Sequence, residues 1–303
     1  MTQNWSEISA EAIIVARLTG PRPRLDLRRH VARADVVDIG LANAVAAASY
    51  VAPLPMTCRV PRAEIRAAGD AGARAVTELL YGEGFDLFDI EGGWGFGRCT
   101  HDRSTGWIAI DALIDDTIAD SAGASMSMSA TISARCAPVF SRPDIKAPVL
   151  VELPFGARIL GSLQGDFLAL PDGGHVHRRH FAPPPATPLA VARGFQGAPY
   201  LWGGRTPLGV DCSGLVQAAL AACGVAAPRD SDQQRDELGS AVDFDARQGG
   251  DLVFFPGHVG ILVDRDTLFH ANAYWMATVE EPLADVIARG SAVTAVRRLG
   301  TPG

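Results

Sequence analysis

Two stretches of the chain share the same pattern of hydrophobic and polar positions. Residues 46–113 contain short apolar or alternating runs separated by glycine pairs and Asp-rich turns, and residues 131–185 show a second pattern of the same kind. Short strands with glycine punctuation are typical of small β-barrels. The sequence therefore predicts two small all-β barrels joined by a polar, Ser/Ala-rich linker over residues 114–130.

The two ends of the chain differ from this pattern. Residues 1–45 predict a partly helical lead-in, because the Ala-rich run ADVVDIGLANAVAAASY has apolar spacing compatible with a helix. We expect this lead-in to pack as a brace on the later domains. Residues 186–303 mix helical and strand patterns behind the stiff, Pro-rich boundary APPPATP. The predicted fold class is therefore multidomain, with two β-barrels followed by an α+β domain.

Composition and charge exclude several classes of function. The 27 Lys and Arg residues are scattered and the formal net charge is −7, so nucleic acid and anionic membranes are not expected partners. The chain has no apolar run near the roughly 18 residues that a membrane-spanning helix needs. Its first residues, MTQNWSEISAEA, lack the basic start of a signal peptide, which favours a cytoplasmic location. The sequence does not indicate an oligomeric state.

The cysteine count also limits the chemistry. The chain has five cysteines, an odd number with no CxxC pair, which argues against a disulfide framework and against a zinc site. They are Cys58, Cys99, Cys136, Cys212 and Cys223. We therefore expect reduced thiols, no metal and no cofactor, with at most one chemically special cysteine.

Cys212 is the candidate nucleophile. It lies in YLWGGRTPLGVDCSGLVQAAL, where apolar residues from Ser213 onward follow helical spacing and Gly224 supplies a natural C-terminal stop. Asp211 is suited to cap this helix, so Cys212 is expected in its first turn. The unpaired N–H groups and the dipole there stabilise an anion and lower the pKa of a thiol. Cys223, near the far end of the helix, is expected to pack in the core.

Two histidines in the same domain are the candidate base and its orienter. The runs DLVFF, HVGILVD and TLFHANA predict three strands joined by tight turns. If the last two pair through their short turn, His258 and His270 have the same side-chain parity and share one face of the sheet. We expect His258 to take the thiol proton and His270 to fix the tautomer of His258.

The motifs YLWGGRTPLGVDCSGLVQ, GDLVFFPGHVGILV and LFHANA, in this order, resemble the NlpC/P60 family of cell-wall cysteine peptidases. The resemblance implies a papain-like core and a catalytic triad of Cys212, His258 and His270. The two β patterns resemble bacterial SH3 domains. The whole arrangement is similar to the dipeptidyl-peptidase VI type, which implies cleavage of the γ-D-glutamyl–diamino acid bond in murein peptides during peptidoglycan recycling.

The resemblance also implies substrate contacts near the nucleophile. Tyr200 matches a tyrosine beside the nucleophile and is expected to help hold the oxyanion, together with the backbone N–H of Cys212. Asp211 and Ser213 match residues that hold the free amino group of an N-terminal L-Ala. A carboxylate beside an ammonium ion is a sensible pairing in a closed pocket. Asp211 has the alternative role of a helix cap.

Further candidates lie at a distance in the sequence. Trp202 and Ser231 match pocket-wall positions, and Ser231 has the alternative role of N-cap of the next helix. Glu83, in the first barrel, matches an acid that relatives use for the amine. Relatives present a tyrosine just before the Gly-Trp of STGWIAI, whereas Ser104 or Thr105 stands there in this chain.

Three alternatives stay open at this stage. The same triad could serve an amidase or acyltransferase, and a cell-wall-binding protein could carry it as a vestige. The diamino acid of the substrate could be lysine or meso-diaminopimelate.

Overall fold

The first barrel is an antiparallel sheet of seven strands. The computed structural model describes residues 24–115, 128–183, 187–290 and 292–300. The strands of this barrel are β3 (Leu54–Cys58), β4 (Arg62–Arg66), β5 (Ala75–Leu80), β6 (Gly84–Glu91), β7 (Trp94–Cys99), β8 (Thr105–Ala109) and β9 (Leu113–Asp115), in the order β5-β4-β8-β7-β6-β3-β9. Side chains along β7 alternate between buried and part-exposed positions, as expected for a sheet with one face on the core.

Glycine punctuation in this barrel has a steric cause. A Cβ atom added at Gly97 would lie 2.2 Å from the carbonyl oxygen of Asp86 and 2.4 Å from the ring of Phe85. Phe85 is fully buried in the barrel core. Glycine therefore lets β7 approach β6 closely at this point.

The second barrel is a separate antiparallel sheet of six strands. The strands are β10 (Met128–Thr131), β11 (Cys136–Phe140), β12 (Val149–Pro154), β13 (Arg158–Gln164), β14 (Phe167–Ala169) and β15 (His175–His177), in the order β10-β13-β14-β15-β11-β12. Strands β9 and β10 occupy the two ends of the expected linker, and residues 116–127 lie outside the described residues. The prediction of two β-sheet units is confirmed.

The helix expected in the run from residue 34 to residue 50 is wrong. The structure has two short parallel strands there, β1 (Val37–Asp38) and β2 (Tyr50–Val51), and a 3-10 turn over Ile39–Leu41. Asp38 accepts a hydrogen bond from the N–H of Gly40 and forms an ion pair with Arg98 of the first barrel. Such local side-chain hydrogen bonds compete with helix formation. Residues 1–23 of the expected lead-in lie outside the described residues.

The C-terminal unit is α+β. Its main sheet has the order β18-β23-β19-β20-β21-β22, and a short hairpin of β16 and β17 precedes the sheet in the chain. The strands are β16 (Arg205–Thr206), β17 (Gly209–Val210), β18 (Ser240–Val242), β19 (Leu252–Phe255), β20 (His258–Leu262), β21 (Thr267–Asn272), β22 (Ala277–Pro282) and β23 (Ala295–Arg298). The helices are α1 (Pro188–Arg193), α2 (Cys212–Ala222), α3 (Ser231–Glu237) and α4 (Leu283–Ala288).

Helix α2 packs against β20 and β21 and so joins the segments with the candidate residues. Leu215, Val216 and Leu220 are fully buried and belong to the same core cluster as Val259 and Phe269 of the sheet. The predicted helix and the three predicted strands that follow it are confirmed. Among the described residues, none of the helices combines the length and apolar character that crossing a bilayer requires.

Candidate active site

Cys212 is the first residue of α2 and its thiol lies in a buried position. Asp211 has extended backbone angles and accepts the N–H of Gly214 at 2.8 Å, so it caps the helix as expected. A Cβ atom at Gly214 would lie only 2.2 Å from the carbonyl oxygen of Gly204. Glycine after the Cys-Ser pair therefore allows the start of the helix to press against the loop that precedes it.

The thiol of Cys212 does not have the low pKa expected from its position at a helix start. Burial and, less strongly, the carboxylate of Asp211 raise its pKa to about 11, although hydrogen bonds from the backbone N–H groups of Val259 and Ser213 act in the opposite direction. Removal of water disfavours the charged thiolate more than the helix end favours it. Resting Cys212 is therefore a neutral thiol.

His258 and His270 lie on one face of the sheet, as their parity predicted. Nε2 of His258 is 2.7 Å from Nδ1 of His270, and the ring centroids are 4.9 Å apart. Burial lowers the pKa of His258 to about 3 and also lowers the pKa of His270. A Cβ atom at Gly260 of β20 would lie 3.0 Å from Cβ of His270, so glycine at this position leaves room for the His270 side chain. Both rings are neutral near pH 7 and close enough to share a proton.

The carboxylate of Glu281, which the sequence analysis did not identify, contacts His270 on the side away from His258. Oε1 of Glu281 is 2.7 Å from Nε2 of His270. In the ladder between β21 and β22, His270 is opposite Val279, so Glu281 lies two residues further on the same face. The alternating parity of β22 could have indicated this residue only with the length of the turn before it, which the sequence did not predict.

Tyr200 lies beside the nucleophile. It forms an isolated parallel bridge with Val210, two residues before Cys212, and its backbone N–H bonds to the carbonyl of Met276. Burial, together with the neighbouring Cys212 and Asp211, raises the pKa of Tyr200 to about 12. The phenol is therefore protonated and able to donate a hydrogen bond near the thiol.

These residues fall within matches to known families. Residues 197–288 match the NlpC/P60 family, and residues 65–113 match the bacterial dipeptidyl-peptidase SH3 domain. The C-terminal unit is therefore an NlpC/P60 domain, and a bacterial SH3 domain precedes it in the chain.

Individual relatives extend the similarity beyond the peptidase domain. Dipeptidyl-peptidase 6 of Lysinibacillus sphaericus is 29% identical over 233 residues, which cover 69% of this chain and 84% of that protein. A γ-D-glutamyl-L-lysine dipeptidyl-peptidase of Bacillus cereus is 35% identical over 115 residues, but the match covers only 34% of that protein. The crystal structure of an NlpC/P60 family protein from Bacillus cereus has the same fold, with a TM-score of 0.69 at 20% identity. It covers 82% of this chain and 100% of that one.

The carboxylate of Asp211 is held by Arg229 and by two backbone N–H groups in this NlpC/P60 domain. Its Oδ1 accepts from Nη1 of Arg229 at 2.9 Å and its Oδ2 accepts from Nη2 of Arg229 at 2.5 Å. Oδ2 also accepts from the N–H of Gly203, and Oδ1 from that of Gly214, both at 2.8 Å. A carboxylate offers about four acceptor positions. All of them are taken in this structure, which shows Asp211 in the capping role, and its expected contact with a substrate amine stays a prediction.

Ser213 belongs to the same buried group. Its hydroxyl oxygen accepts from Nη1 of Arg229 at 2.9 Å and lies 3.4 Å from Oδ1 of Asp211. Nε of Arg229 also bonds to Thr77 of the first barrel. The Asp-Cys-Ser segment is therefore held from behind by one arginine that also contacts the SH3 domain.

Glu83 also pairs with a buried arginine. Nη1 and Nη2 of Arg205 donate to its two oxygens at 2.8 and 3.2 Å, which ties the SH3 domain to the peptidase domain. Glu83 lines a cavity of about 590 Å³ where the two barrels and the peptidase domain meet. Cys212, His258 and His270 do not line this cavity. Glu83 therefore forms a domain-joining ion pair, and its expected contact with the amine stays a prediction.

The remaining sequence candidates lie at the edges of the site. Trp202 is 55% exposed, with the guanidinium of Arg74 5.9 Å from its ring centroid. Ser231 is the first residue of α3, and the N-cap is Asp230, so the alternative of Ser231 as the cap is wrong. Ser104 is buried, and its N–H bonds to Asp102.

One group of described residues has the donor atoms for a metal ion. A sulfur, nitrogen and oxygen from Cys99, His101 and Asp102 lie within 4.8 Å of one another. Nε2 of His101 is 3.2 Å from Oδ2 of Asp102, and that oxygen accepts from Gln217 at 2.9 Å. Asp102 therefore already has protein partners, and the group acts as part of the contact between domains.

Proposed function

We propose that this chain hydrolyses the γ-D-glutamyl–L-diamino acid bond of murein peptides during peptidoglycan recycling. The observation that carries the chemistry is the 2.7 Å contact between His258 and His270, on the two strands that pack against the helix that Cys212 begins. The printed names of two relatives, dipeptidyl-peptidase 6 and γ-D-glutamyl-L-lysine dipeptidyl-peptidase, support the choice of bond. Action on released peptides in the cytoplasm is part of this proposal.

The reaction begins with a neutral thiol and a neutral imidazole. As the sulfur of Cys212 attacks the carbonyl carbon, its proton passes to His258, and a carbon–sulfur bond forms. The backbone N–H of Cys212 and the phenol of Tyr200 donate to the oxyanion. His258 then returns the proton to the leaving amine as the carbon–nitrogen bond breaks. A water molecule, deprotonated by His258, hydrolyses the thioester and frees the thiol.

Burial explains why the proton of Cys212 passes to His258 only when the substrate is bound. A thiolate and an imidazolium are costly in a water-poor site, as the raised pKa of Cys212 and the lowered pKa of His258 indicate. In the complex, the negative charge develops on the carbonyl oxygen as the sulfur attacks. The backbone N–H of Cys212 and the phenol of Tyr200 donate hydrogen bonds to that oxygen. The site therefore favours the charge distribution of the transition state over a resting ion pair.

The requirement for a free N-terminal L-Ala stays a prediction with less support than the bond itself. Asp211 and Glu83, the two acids expected to bind the amine, each pair with a buried arginine. Neither supplies an unpaired carboxylate for an ammonium group. Ser231 and Trp202 remain as candidate contacts for this end of the peptide.

Product analysis by mass spectrometry tests the proposal. We expect L-Ala-γ-D-Glu-L-Lys, or its meso-diaminopimelate counterpart, to yield the intact dipeptide L-Ala-D-Glu and the free diamino acid. Cys212→Ala should be inactive, and Cys223→Ala, which removes a thiol from the other end of the same helix, should keep the activity. Cleavage at another bond, or acyl transfer without release of a diamino acid, would refute the assignment.

A further inference from the structure

Glu281 is the last member of a chain of contacts that runs from the nucleophile's base to a buried carboxylate. We propose that Glu281 is a positioning residue that fixes the tautomers of both histidines, so that Nδ1 of His258 is the atom that takes the proton of Cys212. The proposal deepens the proposed function, on which only its kinetic test rests.

This series of contacts begins at the carboxylate of Glu281, which accepts hydrogen bonds and does not donate them. Glu281 is ionised, because Nη2 of Arg289 donates to Oε1 at 2.6 Å and Nε1 of Trp275 donates to Oε2 at 3.2 Å. Burial alone would raise its pKa, but these donors and His270 hold the pKa below the ordinary value of a glutamate. A carboxylate has no proton to give.

The contact with His270 therefore decides where that ring carries its proton. Oε1 of Glu281 lies 2.7 Å from Nε2 of His270, a distance that requires a proton between them. Nδ2 of Asn272 is 3.3 Å from the same nitrogen and 3.4 Å from the same oxygen, which makes it a weaker neighbour of both. Nε2 of His270 is therefore the protonated nitrogen.

The tautomer of His270 in turn determines the tautomer of His258. Burial keeps His270 neutral, so its Nδ1 has a lone pair and must accept. Nε2 of His258 lies 2.7 Å away and must therefore donate. His258 is also neutral, which leaves a lone pair on its Nδ1 as the basic position. If His270 took the other tautomer, His258 would present an N–H instead of a lone pair.

Glu281 also supplies charge when it is needed. Its side chain is largely buried, and it touches His270 directly. When His258 becomes an imidazolium, the carboxylate stabilises that charge through the intervening ring. Arg289 offsets part of this charge, which suits a base that must also return its proton.

The chain offers a matched control in the neighbouring residue. Glu280 precedes Glu281 on β22, points to the opposite face, is exposed and lies 3.5 Å from Arg193. Glu280→Gln removes the same charge from the same strand without touching the histidines. Glu281→Gln keeps the size of the side chain but loses its charge and can present an N–H, and Glu281→Ala removes it.

Nitrogen-15 NMR of the histidine rings tests the tautomers without any substrate. In the wild type and in Glu280→Gln we expect protonated Nε2 and unprotonated Nδ1 in both rings, assigned with His258→Ala and His270→Ala. Glu281→Gln and Glu281→Ala should give mixed tautomers. If Glu281→Ala does not fold by circular dichroism, Glu281→Gln carries the test. Wild-type rings with protonated Nδ1, or unchanged tautomers in the folded Glu281 variant, would overturn the proposal.

Kinetics provide the second readout. A base in the wrong tautomer costs roughly 10²-fold or more in kcat, with KM little changed, because binding groups stay in place. We expect this loss for Glu281→Ala, a smaller loss for Glu281→Gln and none for Glu280→Gln. Equal kcat in folded Glu281→Ala would overturn the role. A wild type inactive on murein peptides would contradict the proposed substrate and leave the NMR result standing.

Discussion

Arg229 binds Asp211 through both carboxylate oxygens, at 2.9 and 2.5 Å, directly behind the nucleophile. Both side chains are almost fully buried. The pair therefore holds the start of α2, and we expect it to keep Asp211 from selecting a substrate amine.

Asp211→Asn tests this assignment. It leaves Arg229 buried without its counter-charge, which typically costs about 3–5 kcal/mol of unfolding free energy. We expect kcat/KM to fall by a similar factor for peptides with free and with acetylated N-termini. Urea denaturation and parallel kinetics on the two peptides measure both effects. An unchanged stability together with a loss confined to the free peptide would restore the amine-binding role.

Glu83→Gln should weaken the joint between the SH3 and peptidase domains. The substitution removes the carboxylate that pairs with buried Arg205, so we expect a loss of about 3–5 kcal/mol of unfolding free energy at pH 7. Arg205, opposing the effect of burial, keeps the pKa of Glu83 below its ordinary value. A depressed pKa contributes stability above the ordinary glutamate pKa, and this contribution is lost as pH falls below about 4.

The pH dependence of unfolding therefore separates this pair from a surface effect. The difference between wild type and Glu83→Gln should shrink as pH falls below about 4. Glu91→Gln, an exposed glutamate at the end of β6 in the same barrel, serves as the control and should change stability by less than about 0.5 kcal/mol. A Glu83→Gln variant as stable as this control would mean that the ion pair does not join the domains.

Iodoacetamide labelling of Cys212 should be slow at neutral pH. Only the thiolate reacts, and burial raises the pKa of this thiol to about 11. We expect the labelling rate, followed by peptide mass spectrometry, to rise about tenfold per pH unit from pH 7 to pH 10. The half-exposed Cys223 reports reagent reactivity in the same sample. A rate for Cys212 that is independent of pH between 6 and 9 would indicate a resting thiolate–imidazolium pair.

Substitutions at position 270 should rank by their ability to hydrogen-bond. His270→Gln and His270→Asn can still accept from Nε2 of His258, so we expect a smaller fall in kcat than for His270→Ala. His258→Ala removes the base itself and should be nearly as severe as Cys212→Ala. Steady-state kinetics on the tripeptide measure the order. Equal losses in all three variants at 270 would mean that His270 does not orient His258.

Local patterns predicted much of the site, because the features concerned are short-range. The helical spacing after Ser213 and the strand parity of His258 and His270 are properties of a few consecutive residues, and the structure has both. The helix expected before residue 50 failed because Asp38 binds the backbone of Gly40 and the side chain of Arg98 instead.

Tertiary contacts account for what the sequence could not predict. Arg205 is 122 residues from Glu83 in the chain, and Arg229 is 18 residues from Asp211, so no local pattern connects them. The pKa of Cys212 depends on how much water the fold removes, which a helix start alone does not determine. Glu281 required the register of a hairpin whose turn has no short, recognisable signal.

Mass spectrometry of the acid-quenched enzyme tests the central claim most directly. Wild type mixed with excess L-Ala-γ-D-Glu-L-Lys and stopped within a turnover should carry an L-Ala-γ-D-Glu acyl group on the peptide that contains Cys212, with free lysine in solution. An adduct on any other residue, an adduct that retains lysine, or turnover by Cys212→Ala would contradict the account.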